Sequence, residues 1–335
     1  MDTLTHALSG ALLARAMANP ARPVARQVAA GFLACAAPDL DFLWSSGSML
    51  QYIAYHRGVT HSLLMTPLWA WGVAWLLAKM LREPGGWRSL YGIAAAAIAL
   101  HIAGDLITSY GTMILAPFSD WRAAIGTTFI IDLWFSGIIV AGLVLSGVFA
   151  RRRAPAIAAL AVLAAYVGFQ YVLKEEALAF ARAHARERGM KDVQVQPRPV
   201  SPFNWSVFAG DGEKYDVANV NLIREAPKRW HPGDGFIARL DAAYLPLDSA
   251  HWVTRYRYGT DDPARAREAW NSAPLAVFRW FAALPAFDGS KGDCNYFVDL
   301  RFETPGRAQT PFRFGACRSA SVPGGGAPTW KLSSP

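Results

Sequence analysis

His101 and Asp105 are the residues of this sequence whose types and spacing most directly suggest chemistry. They lie four residues apart at the end of an apolar run, residues 90–100. On a helix, side chains four apart stack on one face, and an imidazole beside a carboxylate is a ligand pair that suits zinc. Ionisable groups in a membrane-buried helix are rare and usually functional. The alternative is a hydrogen-bonded pair that only holds helices together.

Further histidines and carboxylates adjoin the other apolar segments. His6 lies in the first helical pattern, Asp39 and Asp41 end the second segment, and His56 and His61 precede the third. Residues two apart point away from each other on an α-helix. Either the backbone leaves helical geometry there, or only one of the two carboxylates is a direct ligand. Asp41 could equally be an interfacial carboxylate, and His56 a solvated loop residue.

The sequence is too apolar and too weakly charged for an average soluble protein of its size. Of its 335 residues, 53% are hydrophobic and 17% are charged. The long apolar runs lie within residues 27–173, whereas residues 174–335 contain most of the charge and the turn-forming residues. This asymmetry predicts a membrane-embedded half and a water-soluble half.

The segment pattern predicts an α-helical polytopic membrane domain followed by a smaller, mostly β domain. We expect about six membrane helices in residues 1–173, with a charged helical stalk over residues 174–192. Residues 193–335 alternate short β patterns with Gly, Pro and Asp turns, which is typical of an antiparallel β domain. Cys294 and Cys317 lie beside strand patterns in that domain, so we expect a disulfide between them in an oxidising compartment.

The basic residues are sorted between the two sets of helix ends. One set carries nine lysines and arginines, and the opposite set carries only Arg57 and Arg122. The nine are Arg15, Arg22, Arg26, Lys79, Arg82, Arg88, Arg151, Arg152 and Arg153. By the positive-inside rule the larger set is cytoplasmic, which predicts that the N-terminus and the C-terminal domain are extracytoplasmic. The net charge of +8 then reports topology, and no nucleic-acid partner is expected.

This topology places the polar candidates at the outer ends of their apolar segments. Ligand-type side chains from separate helices would then meet at one level of the membrane, which favours a shared metal site over unrelated structural groups. The predicted ligands of a divalent metal, most naturally zinc, are His6, Asp39, His56, His61, His101 and Asp105.

Four motifs of the N-terminal half together resemble a family of membrane-bound metal-dependent hydrolases of the bacterial inner membrane, a domain of largely unknown function. The motifs are MDTLTHALSG, PDLDFLW, YHRGVTHSLL and HIAGDLITSYGT with the following PFSDW, and they cover roughly residues 1–150. The resemblance implies an α-helical metallohydrolase, distantly similar to zinc-dependent phospholipase C and P1-type nucleases. His101 and Asp105 match the H-x-x-x-D pair of that group, and His6, Asp39 and His61 match the remaining family positions.

Together these observations predict a membrane-bound metal-dependent hydrolase at the outer face of the inner membrane. We find no H-x-x-x-E on a later helix, so one or two ions are expected. A metal-activated water would attack a phosphoester, with a membrane lipid or lipid-linked compound as substrate and Asp41 as general base. The rival prediction is a non-enzymatic membrane scaffold or regulator with a structural metal or buried His–Asp pairs. A transporter is ranked last, because the inner helix ends carry only basic flanks.

Overall fold

The computed structural model describes residues 1–45, 47–149, 152–307, 310–319 and 329–333. The chain divides into two compact units, and each is described by itself. Unit 1 consists of Met1–Gly47 and Tyr55–Val172, and unit 2 of Ser48–Ala54 and Leu173–Pro335. Arg151, which contributed to the charge comparison, lies outside the described residues.

The N-terminal region is helical. Its α-helices are α1 Thr3–Met17, α2 Val24–Ala36, α3 Met49–Tyr55, α4 Thr66–Met80, α5 Gly86–Leu106, α6 Leu133–Val148 and α7 Ala154–Arg188. Two short 3₁₀ segments, Ala37–Ser45 and Val59–His61, interrupt them. Helix α7 contains the last apolar segment of the predicted membrane domain, residues 154–173, and most of the predicted stalk.

The expectation of about six membrane helices is not supported. By length and composition, α5 and α7 can cross a membrane, and the pair Met49–His61 with Thr66–Met80, bent by 85°, makes a third candidate. Helices α1, α2 and α6 have 15, 13 and 16 residues, which is short of the roughly 20 that a span needs. The second apolar segment, residues 27–44, does not form one long α-helix, because the α-helix ends at Ala36 and the chain continues as a 3₁₀ helix that includes Pro38.

Helices α1 and α2 pack closely through a pair of glycines. A Cβ atom on Gly31 would lie 2.4 Å from the Gly10 carbonyl oxygen, and one on Gly10 would lie 2.3 Å from the Gly31 oxygen. His6 lies one turn before Gly10 on α1, and Cys35 lies one turn after Gly31 on α2. The glycine contact therefore brings the polar end of α1 against the C-terminal end of α2.

Helices α4 and α5 complete the core beside α2, largely through alanines. Ala34, Ala74 and Ala97 are fully buried in one cluster, which also contains Ile98 and Ile102. Because these side chains are small, the helices approach closely and fix the rotation of α5. His101 and Asp105 are consequently buried on the same helix, with no exposed surface.

Unit 2 is rich in β-structure, as predicted. Its first sheet has the order β1–β2–β3–β4 with β5 also paired to β3, and its second has the order β6–β7–β8–β9. The strands are β1 Asp192–Pro197, β2 Asn204–Gly210, β3 Lys214–Asn221, β4 Leu245–Pro246, β5 Val253–Tyr256, β6 Pro285–Lys291, β7 Cys294–Asp299, β8 Phe314–Arg318 and β9 Trp330–Ser333. Three helices, α8 Phe236–Ala242, α9 Pro263–Asn271 and α10 Ala276–Phe281, connect them.

Neighbouring strands are antiparallel except for the short parallel pair β3–β4. Cys294 of β7 is the register partner of Cys317 of β8, and the two form a disulfide with a Cα–Cα distance of 3.8 Å. This confirms the predicted pairing. It closes a loop in the second sheet and leaves Cys35, buried in α2, as a free thiol.

Candidate metal centre

Four ligand atoms from three separate segments of unit 1 converge in its interior. The residues are Asp39, His61, His101 and Asp105, and one ligand atom from each lies within 4.8 Å of all the others. Asp39 comes from the 3₁₀ segment Ala37–Ser45, His61 from Val59–His61, and the remaining pair from α5. All four residues are buried, which is an expensive environment for ionisable groups without partners.

Both imidazoles present their Nε2 atoms to the centre of this group. His101 Nδ1 lies 2.6 Å from the Cys35 carbonyl oxygen, which can only accept, so this nitrogen carries the proton. The Thr60 hydroxyl donates to Asp41 at 3.0 Å and can therefore accept from His61 Nδ1 at 2.9 Å. In the neutral rings both Nε2 atoms then carry lone pairs.

The convergent atoms lie close enough together to share one cation. The two Nε2 atoms lie 2.9 Å apart, and two lone pairs at this distance repel each other unless a proton or a metal ion lies between them. Asp105 Oδ2 lies 3.2 Å from His61 Nε2 and 3.5 Å from His101 Nε2. Asp39 Oδ1 lies 3.6 Å from each of these nitrogens.

These separations fit a four-coordinate ion. Ligands about 2.0 Å from a tetrahedral zinc are about 3.3 Å from one another. Five of the six separations, 2.9–3.6 Å, bracket that value, and all four atoms lie within 4.8 Å of one another. Asp105 Oδ2 is also a buried oxygen with no hydrogen-bond donor among the described residues. The residues present can therefore hold a metal ion.

The other oxygen of Asp105 is occupied by cationic and polar donors. Asp105 Oδ1 accepts from His6 Nε2 at 3.0 Å, from Arg57 Nη2 at 2.7 Å and from the Met1 amine. The His6 ring also stacks on His101 with centroids 3.7 Å apart. These contacts fix the orientation of the carboxylate and leave Oδ2 directed at the two imidazoles.

A second buried carboxylate, Asp41, lies on the far side of His61. Its oxygens accept from His56 Nδ1 at 2.8 Å, from the Arg57 backbone N–H at 3.1 Å and from Thr60. Asp41 Oδ2 lies 3.4 Å from His61 Nδ1. Asp41 therefore contacts the face of His61 that points away from the four convergent atoms.

The structure thus separates the six predicted ligands into two kinds. Asp39, His61, His101 and Asp105 form the convergent group. His6 contacts Asp105 and belongs to an alternative group with Cys35 and His101, whereas His56 contacts Asp41 and belongs to neither group among the described residues. Both expected alternatives apply here: the backbone leaves α-helical geometry over Ala37–Ser45, and only Asp39 of the two carboxylates belongs to the convergent group.

Two residues of the site did not emerge from the sequence pattern. Arg57 was counted only as a topological charge, yet it is 1% exposed and also donates to Thr108 at 2.8 Å. Thr3 donates to Asp39 Oδ2 at 2.7 Å. The position of Arg57 between His56 and His61 is the signal that could have identified it, since a lone arginine among candidate ligands needs a carboxylate partner.

Comparison with known proteins agrees with a membrane location. The chain belongs to the YdjM inner membrane protein family, whose profile matches residues 1–177. It is 26% identical over 179 residues to the uncharacterized protein YfhP of Bacillus subtilis (strain 168), covering 51% of this chain. The chain matches about half of that relative's length, 53%. No solved structure is significantly similar to the chain.

Proposed function

We propose that this member of the YdjM inner membrane protein family is a metal-dependent hydrolase with one divalent ion held by Asp39, His61, His101 and Asp105. The observation that carries the proposal concerns Asp105 Oδ2. This buried carboxylate oxygen faces two imidazole nitrogens and accepts no hydrogen bond from the residues that the structure describes. An unsatisfied buried group of this kind is costly, and a bound cation would satisfy it.

Zinc suits this donor set best. Two imidazole nitrogens and two carboxylate oxygens in tetrahedral spacing are typical zinc ligands, whereas magnesium and calcium prefer more oxygen ligands. We propose a single ion, because only Nε2 of His101 is left to bind a metal and both ligand groups found in the described part of the chain contain His101. When bound, such an ion supplies Lewis acidity and a water that ionises near neutral pH.

The residues around the ion would then position its ligands and leave one side open to water and substrate. Asp41 and Thr60 orient His61 through its Nδ1 side, so we assign Asp41 a positioning role rather than the role of general base predicted from the sequence. Asp39 has 10% of its side chain exposed, whereas His61, His101 and Asp105 have none. Asp39 therefore adjoins the accessible side of the group, where a water and the scissile ester would enter.

An apolar groove supports a lipid phosphoester as the substrate class. A cavity of about 330 Å³ is bounded by Pro38 and Leu40 on either side of Asp39, and by Thr60 next to His61. It continues along one face of α4 past Trp69, Val73, Leu76 and Met80. These residues span about 16 Å of helix, enough for a long acyl chain with its headgroup at the ligands.

The metal is tested by elemental analysis of the full chain purified in detergent. We expect one divalent ion per chain in the wild type and in His231→Ala, a control whose side chain is 81% exposed in unit 2. His101→Ala should hold less than a tenth of that amount, because it removes a central ligand. A wild type that takes up no divalent ion after reconstitution, or a His101→Ala variant with full metal content, contradicts the proposal.

The substrate class is tested separately, with phosphatidylglycerol in mixed micelles and bis(p-nitrophenyl) phosphate as a soluble ester. Hydrolysis of both should disappear in His101→Ala. Val73→Trp fills the groove without contacting a ligand, so it should lower kcat/KM for the lipid about tenfold and leave the soluble ester unchanged. If Val73→Trp affected both esters equally, the groove would not bind the acyl chain and the substrate would not be assigned as a lipid.

The second candidate function is a non-enzymatic scaffold or regulator with a structural metal. It is favoured by the burial of His61, His101 and Asp105 and by a complete set of four protein ligands, since catalytic zinc sites usually have three. A wild type that is fully loaded with metal but hydrolyses neither ester would support this alternative.

A further inference from the structure

A cavity of about 300 Å³ lies within unit 2, and its residues are distinct from the metal group of unit 1. Its apolar walls include Phe208, Val217, Leu245, Val253 and Leu300. Polar atoms are contributed by Arg198, Ser206, Asn219, His251, Arg255 and Glu303. A concave, mostly apolar space of this volume with a few polar groups is typical of a small-molecule site.

The alternation of the strands explains why a buried arginine faces this space. On β2, Trp205 and Val207 point into a core that includes Ala177 and Ala181 of α7. Ser206 and Phe208 must then point to the opposite face of the sheet. Ser206 pairs with Asn219 of β3 in register, so both line that second face.

Arg198 carries a positive charge in this cavity without a matching carboxylate. It is 4% exposed and donates to Ser206 Oγ at 2.5 Å and to the carbonyl oxygens of Arg301 and Leu300 at 3.0 and 3.3 Å. These three acceptors are uncharged, and a guanidinium has five N–H donors. Within the described part of the chain, Arg198 forms no ion pair, and burial lowers the pKa of its guanidinium.

The two carboxylates that act electrostatically on Arg198 are each paired with another arginine. Glu303 accepts from Arg255 Nη1 through both oxygens, at 2.7 and 2.6 Å. Asp299 accepts from Arg301 at 2.8 Å and from the Ala283 backbone N–H at 3.0 Å. One positive charge is thus left over on the wall of the cavity.

We propose that this cavity binds a small organic monocarboxylate, with its oxygens at Arg198 and Asn219 and its apolar body against the valine and leucine walls. A carboxylate matches the planar fork of arginine, and one negative charge balances one uncompensated guanidinium. Inorganic phosphate fits less well, because it carries more charge and has no apolar body to occupy the rest of the space. The site is independent of the proposed hydrolase activity.

The alternative is that Arg198 only ties β1 to the carbonyl groups that follow β7. This structural role needs no ligand, so binding measurements separate the two possibilities. We would titrate the full chain in detergent with butanoate, its neutral analogue butanamide and inorganic phosphate, using calorimetry. Metal content serves as the control for an intact unit 1.

We expect one butanoate per chain, bound at least about tenfold more tightly than butanamide, because charge-assisted hydrogen bonds are the stronger kind. Arg198→Lys keeps the charge but loses the fork and should weaken butanoate about tenfold. Val253→Trp should abolish binding by filling the cavity, whereas Arg267→Gln, an exposed arginine paired with Glu213 outside it, should leave binding unchanged.

Several results would overturn the proposal. They are an absence of saturable butanoate binding in the wild type, equal affinity for butanoate and butanamide, and phosphate bound more tightly than butanoate. If Arg198→Lys fails to fold, Val253→Trp decides the matter, because its side chain is 46% exposed and tolerates a larger residue. Unchanged butanoate affinity in that variant places the ligand elsewhere.

Discussion

Replacing Asp105 with asparagine tests the electrostatic centre of unit 1. The substitution keeps the shape of the side chain and removes its negative charge. In the wild type that charge faces the Arg57 guanidinium at 2.7 Å and the His6 ring at 3.0 Å, all within the protein interior. The amide would leave the buried Arg57 charge without a counterion among the described residues.

The expected loss in the free energy of unfolding depends on whether the carboxylate had charged or neutral partners. Breaking a buried ion pair by removing one member costs about 3–5 kcal/mol of the free energy of unfolding. Asp132→Asn is the matched control, since Asp132 is also buried but its donors among the described residues are all neutral. Loss of such hydrogen bonds costs about 1–2 kcal/mol. We therefore expect Asp105→Asn to be about 2 kcal/mol more destabilising than Asp132→Asn.

The assay is thermal unfolding of the full chain in one detergent, with metal content measured on the same samples. For a unit of this size each kcal/mol shifts Tm by about 2–4 °C. Asp105→Asn should lower Tm by at least about 6 °C and lose the metal, whereas Asp132→Asn should shift less and keep it. Equal shifts and equal metal contents in the two variants would refute the assignment of Asp105 as the charge that organises the site.

Three further predictions follow from other contacts. Gly31→Ala should destabilise unit 1 by about 1–3 kcal/mol and reduce metal content, because its Cβ would lie 2.4 Å from the Gly10 oxygen; thermal unfolding and elemental analysis measure this. Cys294→Ser should cost unit 2 about 3 kcal/mol, and reductant should lower the Tm of the wild type but not of the variant. Burial raises the pKa of Asp241, but hydrogen bonds from Asn204 and Lys228 lower it by more than burial raises it, so the pKa lies below its usual value. Its stabilising effect should be complete above about pH 4 and lost as the pH falls further, and a Tm–pH curve of Asp241→Asn should be flatter there.

Local periodicity was sufficient to predict the relation of His101 to Asp105. Residues four apart on one helix share a face whatever the rest of the chain does, and α5 contains both. The β-rich C-terminal region and the Cys294–Cys317 disulfide were also predictable, since alternating residues and paired cysteines are local signals. The roles of the convergent residues as metal ligands stay predictions.

Hydropathy did not determine how many helices cross the membrane. The runs around α1, α2 and α6 are apolar, but where each helix ends depends on proline, glycine and contacts with other segments. Contacts between distant segments also explain why the role of Arg57 was not predicted from the sequence. Its backbone has φ 61°, an uncommon value for a residue other than glycine, and its side chain reaches Asp105 across 48 positions of sequence. Neither property can be read from residue types alone.

The two oxygens of Asp105 combine the features that favour each candidate function. Oδ1 is held by Arg57 and His6, as in a structural ion pair, whereas Oδ2 is left to the imidazoles, as in a ligand. These features are compatible, because a carboxylate fixed through one oxygen presents the other with little loss of entropy on metal binding. Metal binding and folding of unit 1 should then be coupled, so loss of stability cannot separate enzyme from scaffold. Hydrolysis by the metal-loaded wild type distinguishes them, provided that it is lost in His101→Ala.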